Sequence, residues 1–269
     1  MKGVRKMHES PIINVGFDID LSVVIMLIVT CAIVFILAKL SIRNLSVDNP
    51  SKLQNFMEWV VEFVQGLITS TMDYKKGRPF LSLGITLIMF IFVGNMLGLP
   101  FGLVFDYTNA ASATFFGHPL TPVVEGLANG SHGVEIAWWK SPTADAAAAM
   151  GLALIVFVLV HYLGIVRNPK HYFAHYFKPF FFFFPINVIE QLSKLLTHGM
   201  RLFGNIFAGE VLIAVLLKMS AVWYGAIASV IGLVVWQGFS IFVGTIQAFV
   251  FTILAMVYIS QSLETDEDH

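Results

Sequence analysis

The sequence predicts an all-α integral membrane protein, with five membrane-crossing helices and one amphipathic helix lying in the interface. Three observations lead there. Of 269 residues, 57% are hydrophobic and 12% are charged, whereas a soluble domain carries about 25% charge. The apolar residues collect into runs long enough to cross a bilayer. Long segments of alternating polar and apolar residues, which an outer-membrane barrel would need, are lacking.

The first twenty residues hold Lys2, Arg5, Lys6, Glu9, Asp18 and Asp20 around no apolar core. They read as an external N-terminal segment, not a cleavable signal peptide. Residues 21–40 form the first span, of about the twenty residues that a hydrocarbon core requires. Residues 49–73 differ in kind. Asn49-Pro50 offers a cap followed by proline at the first helical position. Leu53, Phe56, Met57, Val60, Val61, Val64, Leu67 and Ile68 then recur at helical spacing, with Gln54, Glu58, Glu62 and Gln65 on the other face. That pattern predicts a helix lying in the membrane surface; a helix docked on a partner would show the same pattern.

Residues 80–104 form the second span, interrupted by Gly94, Asn95 and Pro100, and residues 143–166 the third. Between them lies a loop, 105–142. Residues 180–262 are apolar almost throughout, too long for one crossing, and break most naturally around Met219–Tyr224 into a long helical hairpin. An acidic tail, 263–269, follows. Lys39, Arg43, Lys52, Lys75, Lys76 and Arg78 flank the first and second spans, and Arg167, Lys170 and Lys178 follow the third, while the loop holds only Lys140. The positive-inside rule makes the loop and the N-terminus external and the tail cytoplasmic, against the weight of Lys2, Arg5 and Lys6. Trp138 and Trp139 fit an outer aromatic belt.

Charge and cysteine content exclude other classes. A net charge of −1 marks no nucleic-acid partner. Cys31 is the only cysteine, so no internal disulfide and no cysteine-built metal site is expected. Neither a cofactor nor a metal is expected.

The informative residues are charges in apolar surroundings. After Asp145, the only acidic residues before the tail are Glu190 and Glu210, both in the hairpin. Its first arm also carries Lys194, His198, Arg201 and Asn205. A charge near the bilayer centre costs at least ~2.5–3.5 kcal/mol, so several in one helix mark an ion path or a buried partner. Snorkelling accounts for Lys194 and Lys218 without any such role, and Glu190 and Lys194, one turn apart, are placed to pair. Arg201 has no acid three or four positions away, so its counter-charge must come from elsewhere in the fold or from another protein. At about 100° per residue, Glu190, Lys194, Arg201 and Asn205 share a stripe, while Glu210 points to nearly the opposite side and lies roughly 13 Å further along the axis. Gly199, Gly204 and Gly209 permit close helix approach or leave room for water or a partner. In the second arm, Gln237, Ser240, Thr245, Gln247 and Thr252 are polar without charge; interhelical hydrogen bonding accounts for each of them singly.

The segment from Gly199 through Arg201, Phe203, Gly204 and Asn205 to Glu210 resembles the signature of the F-type ATP synthase a-subunit family. Ile246-Gln247-Ala248-Phe249-Val250-Phe251 is similar to that family's second signature. Asn49-Pro50 to Asp73, the turn from Gly94 to Pro100, and Ser141 to Asp145 are similar to further segments, so that the resemblance spans residues 20 to 263. It implies that the last two helices form a tilted hairpin facing a rotating ring of c subunits, with a peripheral stalk of b subunits as another partner. It implies proton or other ion translocation without catalysis, in an energy-coupling bacterial plasma membrane. Arg201 matches the family's essential arginine, Glu210 a polar residue of the external half-channel, and Asn205 and Gln247 polar neighbours of the arginine. His198, Glu190, Lys194, Ser240 and Asp145 are possible accessory groups. Where some members carry a histidine or an acid, Ser240 stands here; serine does not titrate near neutral pH, so water or another residue would carry the proton. A secondary transporter would show paired repeats with broken helices, and no second copy of the Arg201 segment is present. Another ion-driven motor stator would need its own carboxylate facing its partner. A purely structural anchor explains neither Arg201 nor Glu210.

Overall fold

The structure, a computed structural model, describes residues 9–98, 103–167, 169–177, 180–219 and 223–263. Lys2, Arg5, Lys6, Pro100, Lys178, the centre of the expected hairpin break and the acidic tail beyond residue 263 lie outside the described residues, as do the side chains of Lys170 and Lys218.

Two short strands, β1 (Ile12–Asn14) and β2 (Asp18–Asp20), pair antiparallel ahead of α1 (Leu21–Ser41). Asp20 starts α1 by accepting hydrogen bonds from the backbone N–H groups of Ser22 (2.9 Å) and Val23 (3.4 Å), which meets the helix's unpaired first-turn donors. The amphipathic helix α2 runs Lys52–Thr71. Its cap is Ser51, whose Oγ accepts from Gln54 N at 3.1 Å, so Pro50 lies outside the helix instead of opening it. A serine hydroxyl two residues later satisfies the first turn equally well. Val60, Val64, Leu67 and Ile68 are buried and Glu58 and Glu62 exposed, as the spacing predicts, while Leu53 and Phe56 of the apolar face are exposed. Gln54 departs from the expected polar face. It is buried, donates to Ser46 O (3.0 Å) and Glu58 Oε1 (2.8 Å), and accepts from Ser46 N (3.2 Å), so it pins the α1–α2 connection.

A single turn, α3 (Tyr74–Gly77), leads through a 3-10 turn at Arg78–Phe80 into α4 (Leu81–Gly98). The helix is described as far as Gly98, and Val104, the expected end of the second span, stands in a strand instead. A Cβ on Gly98 would stand 2.6 Å from Ser141 N, so only glycine lets the 141–144 turn cross here. Residues expected as a plain loop instead form β3 (Val104–Tyr107), β4 (Thr114–Phe115), β5 (His118–Pro119), α5 (Thr121–Ala128) and β6 (Val134–Ala137). β3 pairs with β6, and β4 with β5. Ile13, Leu21, Ala113, Leu120, Val123, Val134 and Ile136 form its small core. Strands this short leave almost no period-two signal in a sequence. Trp138 donates to the Tyr107 hydroxyl and Trp139 to Leu97 O, so both indoles serve the chain's own packing.

The last helices are α6 (Ala146–Arg167), α7 (Pro169–Phe177), α8 (Phe184–Met219) and α9 (Trp223–Leu263). Leu21–Ser41, Tyr74–Gly98, Ala146–Arg167 and Ile227–Leu263 are long and apolar enough to cross a membrane. α8, at 36 residues, exceeds a bilayer's needs in length but is punctuated by Glu190, Lys194, Arg201 and Glu210. The main core joins Leu87, Phe90 and Ile91 of α4, Ala149, Ala153 and Val156 of α6, Leu202 of α8, and Ala248, Phe251 and Ala255 of α9. α8 and α9 pack antiparallel, as the contacts of His198 with Phe251, Gly209 with Trp236 and Leu216 O with Ser229 Oγ establish.

Candidate functional site

Arg201 is exposed on the surface of α8, directly beside the fully buried Leu202. Its surroundings are apolar, with Met200 and Phe207 also exposed. Among the described residues no carboxylate pairs with it, so the absence of a local partner expected from sequence persists in three dimensions. The hairpin register, fixed by His198 against Phe251 and Gly209 against Trp236, brings Gln247 of α9 to the level of Arg201.

Two cavities, each lined by polar as well as apolar side chains, lie along α8, one on each side of Arg201, and Arg201 lines neither. The first, about 390 Å³, is walled by Glu190, Lys194 and His198 of α8, His161 of α6, Tyr172 and Tyr176 of α7, and Tyr258 of α9. Lys194 Nζ and Glu190 Oε1 are 2.9 Å apart, the one-turn pair foreseen from spacing. Both side chains are partly exposed, so the pair's value is in placing charge and not in stability. His198 is 3% exposed and stacks on Phe251 with centroids 3.8 Å apart. Neither of its ring nitrogens has a hydrogen-bond partner, an arrangement a core rarely tolerates.

The second cavity is small, about 50 Å³, and is walled by Asn205, Gly209 and Glu210 of α8, Trp236, Ser240 and Gly244 of α9, and Asn95, Gly98 and Ser141. Asn205 and Glu210 face different sides of an ideal helix, yet both line this space, together with Gly209 and Gly244. Ser240 and Glu210 share the wall. Gln247 does not line it: it is buried, and its Nε2 is unpartnered. The three glycines of α8 divide their tasks. Gly199 lies against Met150 of α6 and Gly209 against the Trp236 indole, while Gly204, three residues from Arg201, faces open space.

Asp145 lines neither cavity. Its Oδ1 accepts from Ala148 N at 2.9 Å, a cap on the first turn of α6.

Several groups of the site were not singled out from the sequence. Asn95, noted only as an interruption, donates to Gly244 O (3.0 Å) and accepts from Thr143 Oγ1 (2.8 Å), binding α4 to α9 beside the second cavity. His161 is polar within an apolar span, the same anomaly that flagged Glu190, but it escapes a count of formal charge. Tyr172, Tyr176, Tyr258 and Trp236 pass as ordinary aromatic residues until folding brings them into cavity walls.

The family model described as ATP synthase A chain matches residues 23–260. The chain belongs to the ATP synthase A chain family. It is 45% identical over 262 residues to ATP synthase subunit a of Priestia megaterium, covering 96% of this chain and 99% of that one. It is 46% identical over 266 residues to that of Staphylococcus epidermidis (95% and 98%) and 43% over 265 residues to that of Listeria monocytogenes (96% and 99%). As a member of the ATP synthase A chain family it is the ion-translocating stator subunit of the membrane sector, a multi-pass protein of a bacterial membrane. It makes no covalent bond itself; the assembled synthase makes ATP.

Proposed function

We propose that the two cavities are the chain-side halves of a discontinuous ion path and that Arg201 keeps them apart. The observation behind this is the position of Arg201 between two separate cavities that each hold ionisable or amide side chains, one lined by His198 and the other by Asn205. The first cavity lies beside Gly164, at the end of α6 that terminates in the basic Arg167, and the positive-inside rule makes that the cytoplasmic end. The second lies against Asn95, Gly98 and Ser141, towards the strand-bearing cap, and so opens outside. With α8 crossing as well as α1, α4, α6 and α9, the chain crosses five times, and α2 lies in the interface.

The missing counter-charge belongs to a ring of c subunits passing the exposed face of Arg201, with b subunits of the peripheral stalk on another face. A rotor carboxylate facing lipid is neutral, because desolvation penalises its charged form. Opposite Arg201 the ionised form is favoured and the proton leaves through one cavity; the other reprotonates the next carboxylate. Arginine stays cationic at any accessible pH, so no neutral bypass joins the halves. Each charge crossing ~100 mV contributes ~2.3 kcal/mol.

Arg201→Ala in vesicles holding the whole complex tests this: ATP-driven pumping should vanish while assembly persists. Normal pumping by that variant overturns the proposal. A small, very hydrophobic ring protein should copurify with the chain, which a secondary transporter would not bring.

A further inference from the structure

Beyond the charges of α8, the cytoplasmic-end cavity has a chain of three protic side chains on its opposite wall. His161 Nδ1 lies 2.8 Å from Phe157 O, Tyr176 Oη lies 3.2 Å from His161 Nε2, and Tyr172 Oη lies 3.1 Å from Tyr176 Oη. A carbonyl oxygen can only accept, so Nδ1 bears the hydrogen and Nε2 is the basic atom. Tyr176 therefore donates to His161, and Tyr172 donates to Tyr176. Both hydroxyl hydrogens thus point along the chain in the direction of His161 Nε2.

Three features hold this order in place. A Cβ on Gly164, one turn beyond His161, would stand 3.1 Å from Tyr172 Cε2, so the glycine makes room for the tyrosine against α6. Asn187 Nδ2 donates to Tyr176 O at 2.9 Å, fixing α7 to α8. Burial, reinforced by the neighbouring Tyr172 hydroxyl, pushes the Tyr176 hydroxyl above the ordinary phenol range, so it remains a neutral donor.

We infer that Tyr172, Tyr176 and His161 form a proton relay that loads the cytoplasmic-end cavity, with His161 as the group that stores the proton. This rests on reading that cavity as half of a proton path. In one transfer Tyr176 gives its hydroxyl proton to His161 Nε2, receives that of Tyr172, and Tyr172 is reprotonated from bulk water. Nε2 of the imidazolium then gives its proton to water in the cavity while Nδ1–H stays on Phe157 O, and both hydroxyls rotate back. Among described side chains, the ionisable groups facing His161 across this space are Glu190, Lys194 and His198 of α8 and Tyr258 of α9. Lys194 opposes a lasting positive charge on His161, which favours release over storage, and Glu190, paired to Lys194, tempers that repulsion.

A role confined to fastening α7 onto α6 would not depend on a titrating ring. The test uses vesicles with the whole complex oriented so that this end faces the bulk medium. The initial rate of ATP-driven proton uptake is measured against bulk pH, with and without added imidazole. His161→Gln should be about tenfold slower, below the usual 10²–10⁴ of a positioned proton donor because water replaces part of the route. It should lose any histidine-dependent step in the profile of rate against pH, and imidazole should restore most of its rate. Tyr176→Phe, which preserves ring packing, should be slowed and restored likewise, and replaces His161→Gln as the deciding variant should the latter not assemble. An unchanged rate, or a slowed rate that imidazole does not raise, overturns the relay. Arg201→Ala is measured in parallel. A silent Arg201→Ala beside an unaffected His161→Gln defeats only the relay, whereas pumping by Arg201→Ala defeats the ion-path reading on which it rests.

Discussion

His198 lies flat on Phe251, ring centroids 3.8 Å apart and planes 28° from parallel, three residues before Arg201. Phe251 is 1% exposed and sits in the core shared by α4, α6, α8 and α9. His198 also lines the first cavity, so the stack sets buried apolar surface one turn of α8 away from Arg201. Under the ion path proposed above, such a stack would hold back protons by close packing and not by charge.

Phe251→Ala should therefore do two things. Truncating a fully buried phenylalanine typically costs about 3–5 kcal/mol, visible as a lower midpoint for thermal unfolding in detergent. It should also let protons leak through assembled complex when no ATP is present, measured as faster decay of an imposed pH gradient. Phe251→Leu, which fills most of the space, should be far milder in both assays. Wild-type gradient decay in Phe251→Ala would show that the stack is packing alone.

Glu210 and Ser240 share the wall of the second cavity, so their variants separate two ways of moving a proton there. Glu210→Gln preserves shape but cannot exchange a proton near neutrality, and ATP-driven pumping should fall by about 10²-fold or more if Glu210 is the transferring group. Glu210→Asp should retain more activity. Ser240→Ala should have a mild effect, since water replaces a hydroxyl in a wet cavity. Equal damage from Ser240→Ala and Glu210→Gln, at matched expression, would make the serine an obligatory relay.

Asp20 ties the N-terminal strands to the far end of the 103–142 region. Lys140 Nζ donates to its Oδ2 at 2.9 Å and to Ser10 Oγ at 2.6 Å. Burial alone would raise the Asp20 carboxyl, but the Ser22 hydroxyl and the Lys140 charge outweigh it and hold it below its ordinary 3.8. A depressed carboxylate contributes stability that is present above about 3.8 and is lost as pH falls through the folded value. Amide hydrogen exchange in residues 9–20 should stay slow down to that point and quicken below it. In Asp20→Asn, exchange should be fast across the range and show no such step. A step that survives in Asp20→Asn would assign the acid sensitivity to another carboxylate.

How much of this was legible in the sequence depended on the reach of each interaction. α1, α2 and α6 were legible because bilayer-length runs and a 3.6-residue spacing are properties of neighbouring residues. The Glu190–Lys194 pair was legible for the same reason, and the isolation of Arg201 was as well, since a missing acid one turn away can be counted. The cap region was not: three two-stranded ladders of two to four residues each are held by pairing and a shared core, neither of which marks a short segment. Asn95 looked like a flaw in a span because its partners, Thr143 and Gly244, are 48 and 149 residues away. The cavity walls were hidden similarly. His161, Tyr172, Tyr176 and Tyr258 become a polar surface only when α6, α7 and α9 converge on α8. The sequence by itself determined that the chain lives in a membrane, which charges it tolerates there, and which family it resembles. Only the tertiary structure decided which polar atoms share a space, because in the chain a hydroxyl or imidazole has no neighbours beyond one helical turn.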